Sequence, residues 1–316
     1  ERSRGLGDVY KRQLLIPLLS LSLLVTPAYS SHAAENAEAA ETSVEGQGML
    51  SPSSSSESSE SVFNGSGAGT SSEPVTDEKL ETILKQVQSQ LPAENGTWAV
   101  FISDLVNGTE GSLNDQKMQA ASLIKLYIMG AVYENYDQIT GQYGRDSVDS
   151  NLYSMITVSD NDAANTLTTY LGGGDSAAGM QAVNSFCQAH GYDQTHMGRM
   201  LLASNENDDN YTSVGDCGHL LQEIYKQDTS GYTHATDMFN LLKAQTRCNK
   251  IPAQLPEGVK TANKTGELDN VENDAGIIYD SKNDVVIVFM SQNLSSAGSA
   301  QNTIATLSRT IYDYYN

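Results

Sequence analysis

The chain has 316 residues, 39% of them hydrophobic, and a formal net charge of −21, a length that allows one large or two ordinary domains. The charge is uneven: residues 1–13 carry four basic and two acidic groups, 34–75 carry seven glutamates and no base, and 76–316 carry 14 basic against 30 acidic groups. A domain that acidic repels nucleic acid and anionic lipid, so neither is an expected partner.

The N-terminal stretch Asp8-Val9-Tyr10-Lys11-Arg12-Gln13 reads as a translated transposon end of the kind used in sequencing libraries. Residues 1–13 are therefore expected to be foreign and are set aside. Leu14 to Val25 is a short apolar run, followed by the small residues Ala28-Tyr29-Ser30 and Ser31-His32-Ala33. It is too short for a comfortable span, so 14–33 predicts a cleaved signal and export to the cell surface, the medium or a periplasm. Residues 34–75 are rich in Glu, Ala, Ser and Gly, cannot bury a core, and predict a disordered tether. Beyond the first 30 residues no apolar run reaches roughly 18 residues, so no stable span is expected after cleavage.

The folded domain is expected over 76–316. Thr76 predicts an N-cap, with Asp77 and Glu78 in the first turn. Leu80, Ile83, Leu84, Val87 and Leu91 form one apolar face of that helix, and Pro92 stops it. Asn95-Gly96 turns into a strand from Trp98 to Leu105, and Asn107-Gly108 turns towards a second. Residues 120–130 then read as a helix apolar nearly all round, interrupted by Ser122 and Lys125. These two are three positions apart, hence on one face. Burial lowers a lysine's pKa, and a neutral amine beside Ser122 could make it a nucleophile. The alternative is a lysine that snorkels to water beside an ordinary small serine.

From about Leu152 to Leu221 the pattern is mainly helical, with loops at Gly172-Gly173-Gly174 and Ser204 to Ser213. Within it, Asp160 of Ser159-Asp160-Asn161 predicts a helix cap. After Pro256, strands are expected at Val259–Thr265, Ala275–Asp280 and Val285–Ser291, with Lys264-Thr265-Gly266 at the end of the first. A closing helix places Ala300, Ile304, Leu307 and Ile311 on one face, and Tyr312, Tyr314 and Tyr315 read as packing at its end. The element order predicts an α+β fold: a five-stranded antiparallel sheet with the terminal helices covering one face, and the helical block as a second lobe. Cys187, Cys217 and Cys248 form no C-x-x-C pair; a Cys217–Cys248 disulfide and three buried thiols both stand open. His190 and His196 lack the carboxylate setting of a metal pair and read as surface or satisfied histidines. No metal or cofactor is expected, and the domain is expected to be a monomer.

In order, S-x-x-K, S-D-N and K-T-G form a specific set. With Ser159-Asp160-Asn161-Asp162-Ala163-Ala164-Asn165 and Asn273-Asp274-Ala275, they make the chain resemble the class A β-lactamase family of penicillin-recognising serine enzymes over essentially all of 76–316. The resemblance implies a β-lactamase/transpeptidase-like fold with the active site between sheet and helical lobe. It implies Ser122 as the acylated nucleophile, Lys125 as its base, and Ser159 as proton donor to the leaving nitrogen. Asn161 would hold the substrate amide, while Lys264 and Thr265 would receive its carboxylate. Gly266 would lie against the substrate. The backbone N–H groups of Ser122 and Glu267 would form the oxyanion hole. The implied partners are a β-lactam, hydrolysed through the acyl-enzyme, or a cell-wall D-alanyl-D-alanine peptide.

Two features depart from the family. The E-x-x-L-N glutamate that activates deacylating water is missing; Glu206 is the only glutamate between Asn161 and Gly218, and it lacks the following Leu-Asn. Glu206 stays open as a water base or as a solvated loop acid. Ser159 follows Ser122 by 159 − 122 = 37 residues, shorter than usual, which predicts a more open rim. A peptidase or esterase with slow β-lactam release is therefore the alternative function, and a non-catalytic wall-binding domain a third.

Overall fold

The computed structural model describes residues 77–316, so the stretches 1–13, 14–33 and 34–75 lie outside the described residues. Helix α1 (Glu78–Gln90) is capped by Asp77, whose carboxylate accepts the N–H groups of Lys79 and Leu80. The cap is thus one residue later than expected: a carboxylate both accepts those hydrogen bonds and offsets the positive helix end. Strands β1 (Thr97–Asp104) and β2 (Thr109–Leu113) follow, then the two-residue β3 (Met118–Gln119). A 3₁₀ turn at Ala121–Leu123 leads into α2 (Ile124–Glu134). Helices α3 (Tyr136–Tyr143), α4 (Arg145–Thr157), α5 (Asn161–Leu171) and α6 (Ser176–Ala189) come next. The short β4 (Tyr211–Thr212) pairs with β3, and α7 (Val214–Tyr225) and α8 (Ala235–Lys243) complete the lobe. Strands β5 (Lys260–Leu268), β6 (Val271–Tyr279) and β7 (Val285–Gln292) precede the closing α9 (Ala297–Tyr315).

The sheet runs β2-β1-β7-β6-β5, with every pair antiparallel. This is the expected α+β, β-lactamase/transpeptidase-like architecture. The central strands are buried on both faces, and alternate residues enter different cores. On β7, Val286, Val288 and Met290 face the helical lobe, while Val285, Ile287 and Phe289 face α1 and α9. Ala300, Ile304, Leu307 and Ile311 are buried in that second core as the pattern predicts, and the Tyr314 hydroxyl donates to the Lys79 carbonyl oxygen at 2.9 Å. Asn95 ties the start of α9 to the sheet, its Oδ1 accepting the N–H groups of Ser295 and Ser296 at 3.0 Å.

Two strand expectations need correction. Lys264-Thr265-Gly266 lies inside β5, which runs on to Leu268, and β6 begins at Val271 rather than Ala275. A two-residue loop, Asp269-Asn270, joins them. The polar run Glu272-Asn273-Asp274 looks like a turn, yet all three residues are buried. Asp274 accepts the Ile251 N–H at 2.9 Å and the Asn263 side-chain amide at 3.0 Å. Burial pushes its pKa up to about 6. Nor does the Cys217–Cys248 disulfide form: both thiols are free, Cys217 buried beside the Tyr127 hydroxyl and Cys248 exposed, so three buried thiols is also incorrect. Among the described residues, no helix is long and apolar enough to cross a membrane.

Candidate active site

Ser122 sits in the 3₁₀ turn at the head of α2. The turn is held in place from three sides. The Ala120 N–H donates to the Asn210 carbonyl oxygen at 2.9 Å, and Asn273 Nδ2 on β6 donates to the Gln119 and Ala120 carbonyl oxygens at 2.9 and 3.2 Å. Ala121 takes φ of +48°, a left-handed conformation costly for alanine, immediately before the serine. Gly266 on β5 lies against the same turn. A Cβ at 266 would come within 2.9 Å of the Ala120 oxygen and 3.1 Å of the Ser122 nitrogen, so only glycine lets the strand backbone approach this closely.

Helix α2 is buried from Ile124 to Tyr133, which leaves Lys125 no route to water and rules out snorkelling. Its Nζ lies 3.1 Å from Ser122 Oγ and 3.1 Å from Ser159 Oγ. It is also 2.6 Å from the Ser159 carbonyl oxygen and 2.7 Å from Asn161 Oδ1. Burial pulls its pKa down to about 7, with Arg247 acting in the same direction and Asp160 against it. The two carbonyl oxygens can only accept. A neutral amine that gives them its two N–H groups keeps a lone pair for a hydroxyl proton.

Ser159 is the middle residue of the α4–α5 connection and takes φ of +62°, and Asp160 caps α5 as expected, its Oδ1 accepting the Ala163 N–H at 2.8 Å. The strained serine points its hydroxyl between two lysines. Lys264 Nζ donates to Ser159 Oγ at 2.9 Å and to the Thr265 carbonyl oxygen at 2.7 Å. Lys264 is fully buried, and burial together with the neighbouring Lys125 holds its pKa well below that of an ordinary lysine. Ser122, Lys125, Ser159, Asn161 and Lys264 thus share one hydrogen-bonded chain, with Thr265 and Gly266 next to it on β5. The short interval between Ser122 and Ser159 is spanned by α2, α3 and α4, with Asn135 and Gly144 as one-residue joints.

A cleft of about 500 Å³ opens over Ser122, lined among others by Asn161, Leu201, Leu202, Glu267 and Asp269. Its outer wall is the loop from Arg199 to Asp209, closed by a buried ion pair between those two side chains at 2.7 Å. Gln119 Nε2 also donates to Asp209, at 3.0 Å. Asn165 clamps the Leu201 backbone: Oδ1 accepts its N–H at 2.8 Å, and Nδ2 donates to its carbonyl oxygen at 3.0 Å. Leu201 is thereby held in the wall of the cleft. Glu206 is exposed on this loop and is not among the residues that line the cleft. His190 and His196 are each paired with one carboxylate, Glu134 at 3.0 Å and Asp208 at 2.7 Å.

Three charged residues near the site carried no signal in the sequence. Lys250 is fully buried and pairs with Glu272 at 2.7 Å and Glu267 at 3.2 Å. Arg247 pairs with Glu267 at 3.1 Å from the other side. Arg199 anchors the loop. Each partner lies far along the chain or inside a stretch that reads as a turn, so spacing alone could not expose them.

The sequence pattern of the Beta-lactamase enzyme family matches residues 79–146 and 142–315. No curated protein matches the chain. Among solved structures, a β-lactamase from Sphaerobacter thermophilus is similar at 22% identity and a TM-score of 0.62, covering 73% of this chain and 96% of its own. PBP-A is similar at 22% identity and a TM-score of 0.65, covering 74% and 96%. A PBP-A mutant in an acyl-enzyme complex with penicillin G gives 23% identity and a TM-score of 0.64, covering 74% and 96%. At these identities the structural likenesses bear on the fold alone. The family pattern, running through the 3₁₀ turn, the α4–α5 connection and β5, shows that the chain belongs to the beta-lactamase enzyme family.

Proposed function

We propose that this chain is a serine acyl-transfer hydrolase that forms an acyl-enzyme on Ser122 with β-lactams or D-alanyl-D-alanine peptides. The observation that carries it is the single hydrogen-bonded chain from Ser122 through Lys125 and Ser159 to Lys264. Ser122 Oγ attacks the carbonyl carbon while its proton passes to the neutral Lys125 amine. The oxygen that becomes negative would be met by the backbone N–H groups of Ser122 and Glu267, brought together by the close approach at Gly266. When the carbon–nitrogen bond breaks, Ser159 gives its proton to the leaving nitrogen and is reprotonated from the flanking lysines. Asn161, whose Oδ1 is held by Lys125, keeps its side-chain N–H groups for the substrate amide.

Release of the acyl group needs an activated water. From the Arg199–Asp209 loop the cleft is lined by Arg199, Leu201, Leu202, Ala203 and Asn205, none of them a carboxylate, and Glu206 is exposed outside it. This favours slow release of β-lactams, as in a peptidase or esterase acylated by penicillin, over rapid antibiotic hydrolysis. A cell-wall substrate agrees with the export expected from Leu14 to Val25.

The test is a stopped-flow reaction with a chromogenic cephalosporin, followed by intact-protein mass spectrometry. The expected result is a burst of one equivalent, a slow steady state, and an adduct abolished in Ser122→Ala. Undiminished labelling of that variant would sink the nucleophile assignment, and sustained fast turnover would restore the β-lactamase reading.

A further inference from the structure

Glu267 is the residue on the cleft rim with the least obvious purpose. Backbone donation from position 267 needs no carboxylate. Yet the side chain, 31% exposed, bridges two cations, with Oε2 3.1 Å from Arg247 Nη1 and Oε1 3.2 Å from Lys250 Nζ. These two partners differ. Lys250 is fully buried and also holds Glu272 at 2.7 Å, whereas Arg247 is 45% exposed and Glu267 is its sole ion-pair partner among the described residues. Burial works against ionising Glu267, but Lys250 and Arg247 outweigh it and keep the carboxylate charged.

The other positive groups at the cleft are already committed. Arg199 is bound to Asp209, and Lys264, expected to receive the substrate carboxylate with Thr265, is fully buried and gives its hydrogen bonds to Ser159 and the Thr265 carbonyl oxygen. Glu267 lines the cleft and Arg247 stands behind its carboxylate, so the exposed cation nearest an anionic group entering beside β5 already carries a carboxylate.

We propose that Glu267 is a built-in competitor for anionic substrate groups: Arg247 exchanges Glu267 for the substrate carboxylate, while Lys250 retains Glu267. Glu267 thereby sets the preference between carboxylate-bearing and neutral acyl donors. The exchange leaves no charge stranded, because Glu267 keeps its contact to Lys250 and the guanidinium gains a planar two-oxygen partner. Bound in this way, Glu267 lowers affinity for anionic donors and leaves neutral ones less affected. This inference rests on the acyl-enzyme reading of Ser122.

The experiment compares the full chain with Glu267→Gln, Arg247→Gln and the double variant. The second-order rate constant for Ser122 acylation is measured with a cephalosporin and with its carboxylate methyl ester. Glutamine keeps the size and the backbone donor, so the readout is the anionic-to-ester ratio within each protein. Glu267→Gln should raise that ratio by roughly twofold to fivefold, the scale of one partly exposed charge contact. Arg247→Gln should lower it, and in the Arg247→Gln background the effect of Glu267→Gln should vanish. A ratio unmoved by Glu267→Gln, or moved equally in both backgrounds, would overturn the assignment while leaving the acyl-enzyme intact. If neither compound leaves an adduct on wild-type Ser122, the acyl-enzyme reading itself falls and this inference with it.

Discussion

The proposed role of Lys125 is testable through pH. To serve as the base it must be neutral, and burial pulls its pKa down to about 7. The neutral fraction rises with pH, so acylation should climb from pH 6 to pH 8 with a midpoint near 7, and it should fall on the acid side as the amine takes a proton. Single-turnover acylation against pH checks this; a flat profile across that window would remove Lys125 as the base. Leu201 bears on the proposed release step: its backbone is clamped by Asn165 and it is among the residues that line the cleft, so Leu201→Glu introduces a carboxylate into the cleft wall. The penicillin adduct of that variant should decay about a hundredfold faster or more, the usual scale of general base catalysis. An adduct lifetime equal to wild type would mean that the base must come from elsewhere. At this scale Ser122, Lys125, Ser159 and Lys264 were legible because each sits in a local motif. Lys250 and Arg247 were not: their meaning comes from Glu267 and Glu272 across β5 and β6, and a lone charge beside a loop looks solvated.

At the scale of elements, the site depends on how closely β5 can lie against the Ser122 turn. Gly266→Ala puts a Cβ 2.9 Å from the Ala120 oxygen and 3.1 Å from the Ser122 nitrogen, both backbone atoms with little room to yield. The strand must move outward by some tenths of an ångström. Acylation should fall about a hundredfold, the cost of losing one oxyanion donor, with only a modest change in stability. Burst kinetics beside a melting curve separate the two, and a variant that acylates at the wild-type rate would show that β5 does not contribute the second donor. The same strands explain where the sequence was hard to read. Val285 to Met290 is an unbroken apolar run, and β7 stands where that run predicts. Strand β6 begins four residues earlier than its apolar pattern because Glu272, Asn273 and Asp274 are buried against Lys250, the Ser122 turn and Ile251. Helix α8 lies beyond the mainly helical stretch expected from Leu152 to Leu221, with Ala235, Met238, Phe239 and Leu242 on its buried face. Polar side chains that brace a site break the alternation from which strands are recognised.

Across the whole molecule, the sheet separates two cores with different duties. One lies between the sheet and the helical lobe and contains Leu123, next to Ser122, with α2 at its centre; Gly130 lets α2 meet Phe186 of α6, where a Cβ would come within 2.4 Å of the ring. The other lies under α1 and α9 and contains Ile304, remote from the cleft. Both residues are fully buried, so truncating either to alanine should cost about 3 kcal/mol from lost burial and the cavity left behind. In a domain of this size that lowers the melting temperature by roughly 6–12 °C. The two variants should nevertheless differ in function. Ile304→Ala leaves the Ser122 turn supported by Asn273, Gly266 and the lobe, so acylation at 25 °C should match wild type. Leu123→Ala opens its cavity directly beneath the nucleophile, where Ala121 already holds a strained conformation, so acylation should fall along with stability. Melting curves and burst amplitudes on both proteins decide the matter. Equal loss of acylation in the two would mean that the sheet transmits packing defects from one core to the other, and that the site is not insulated from the face covered by α1 and α9.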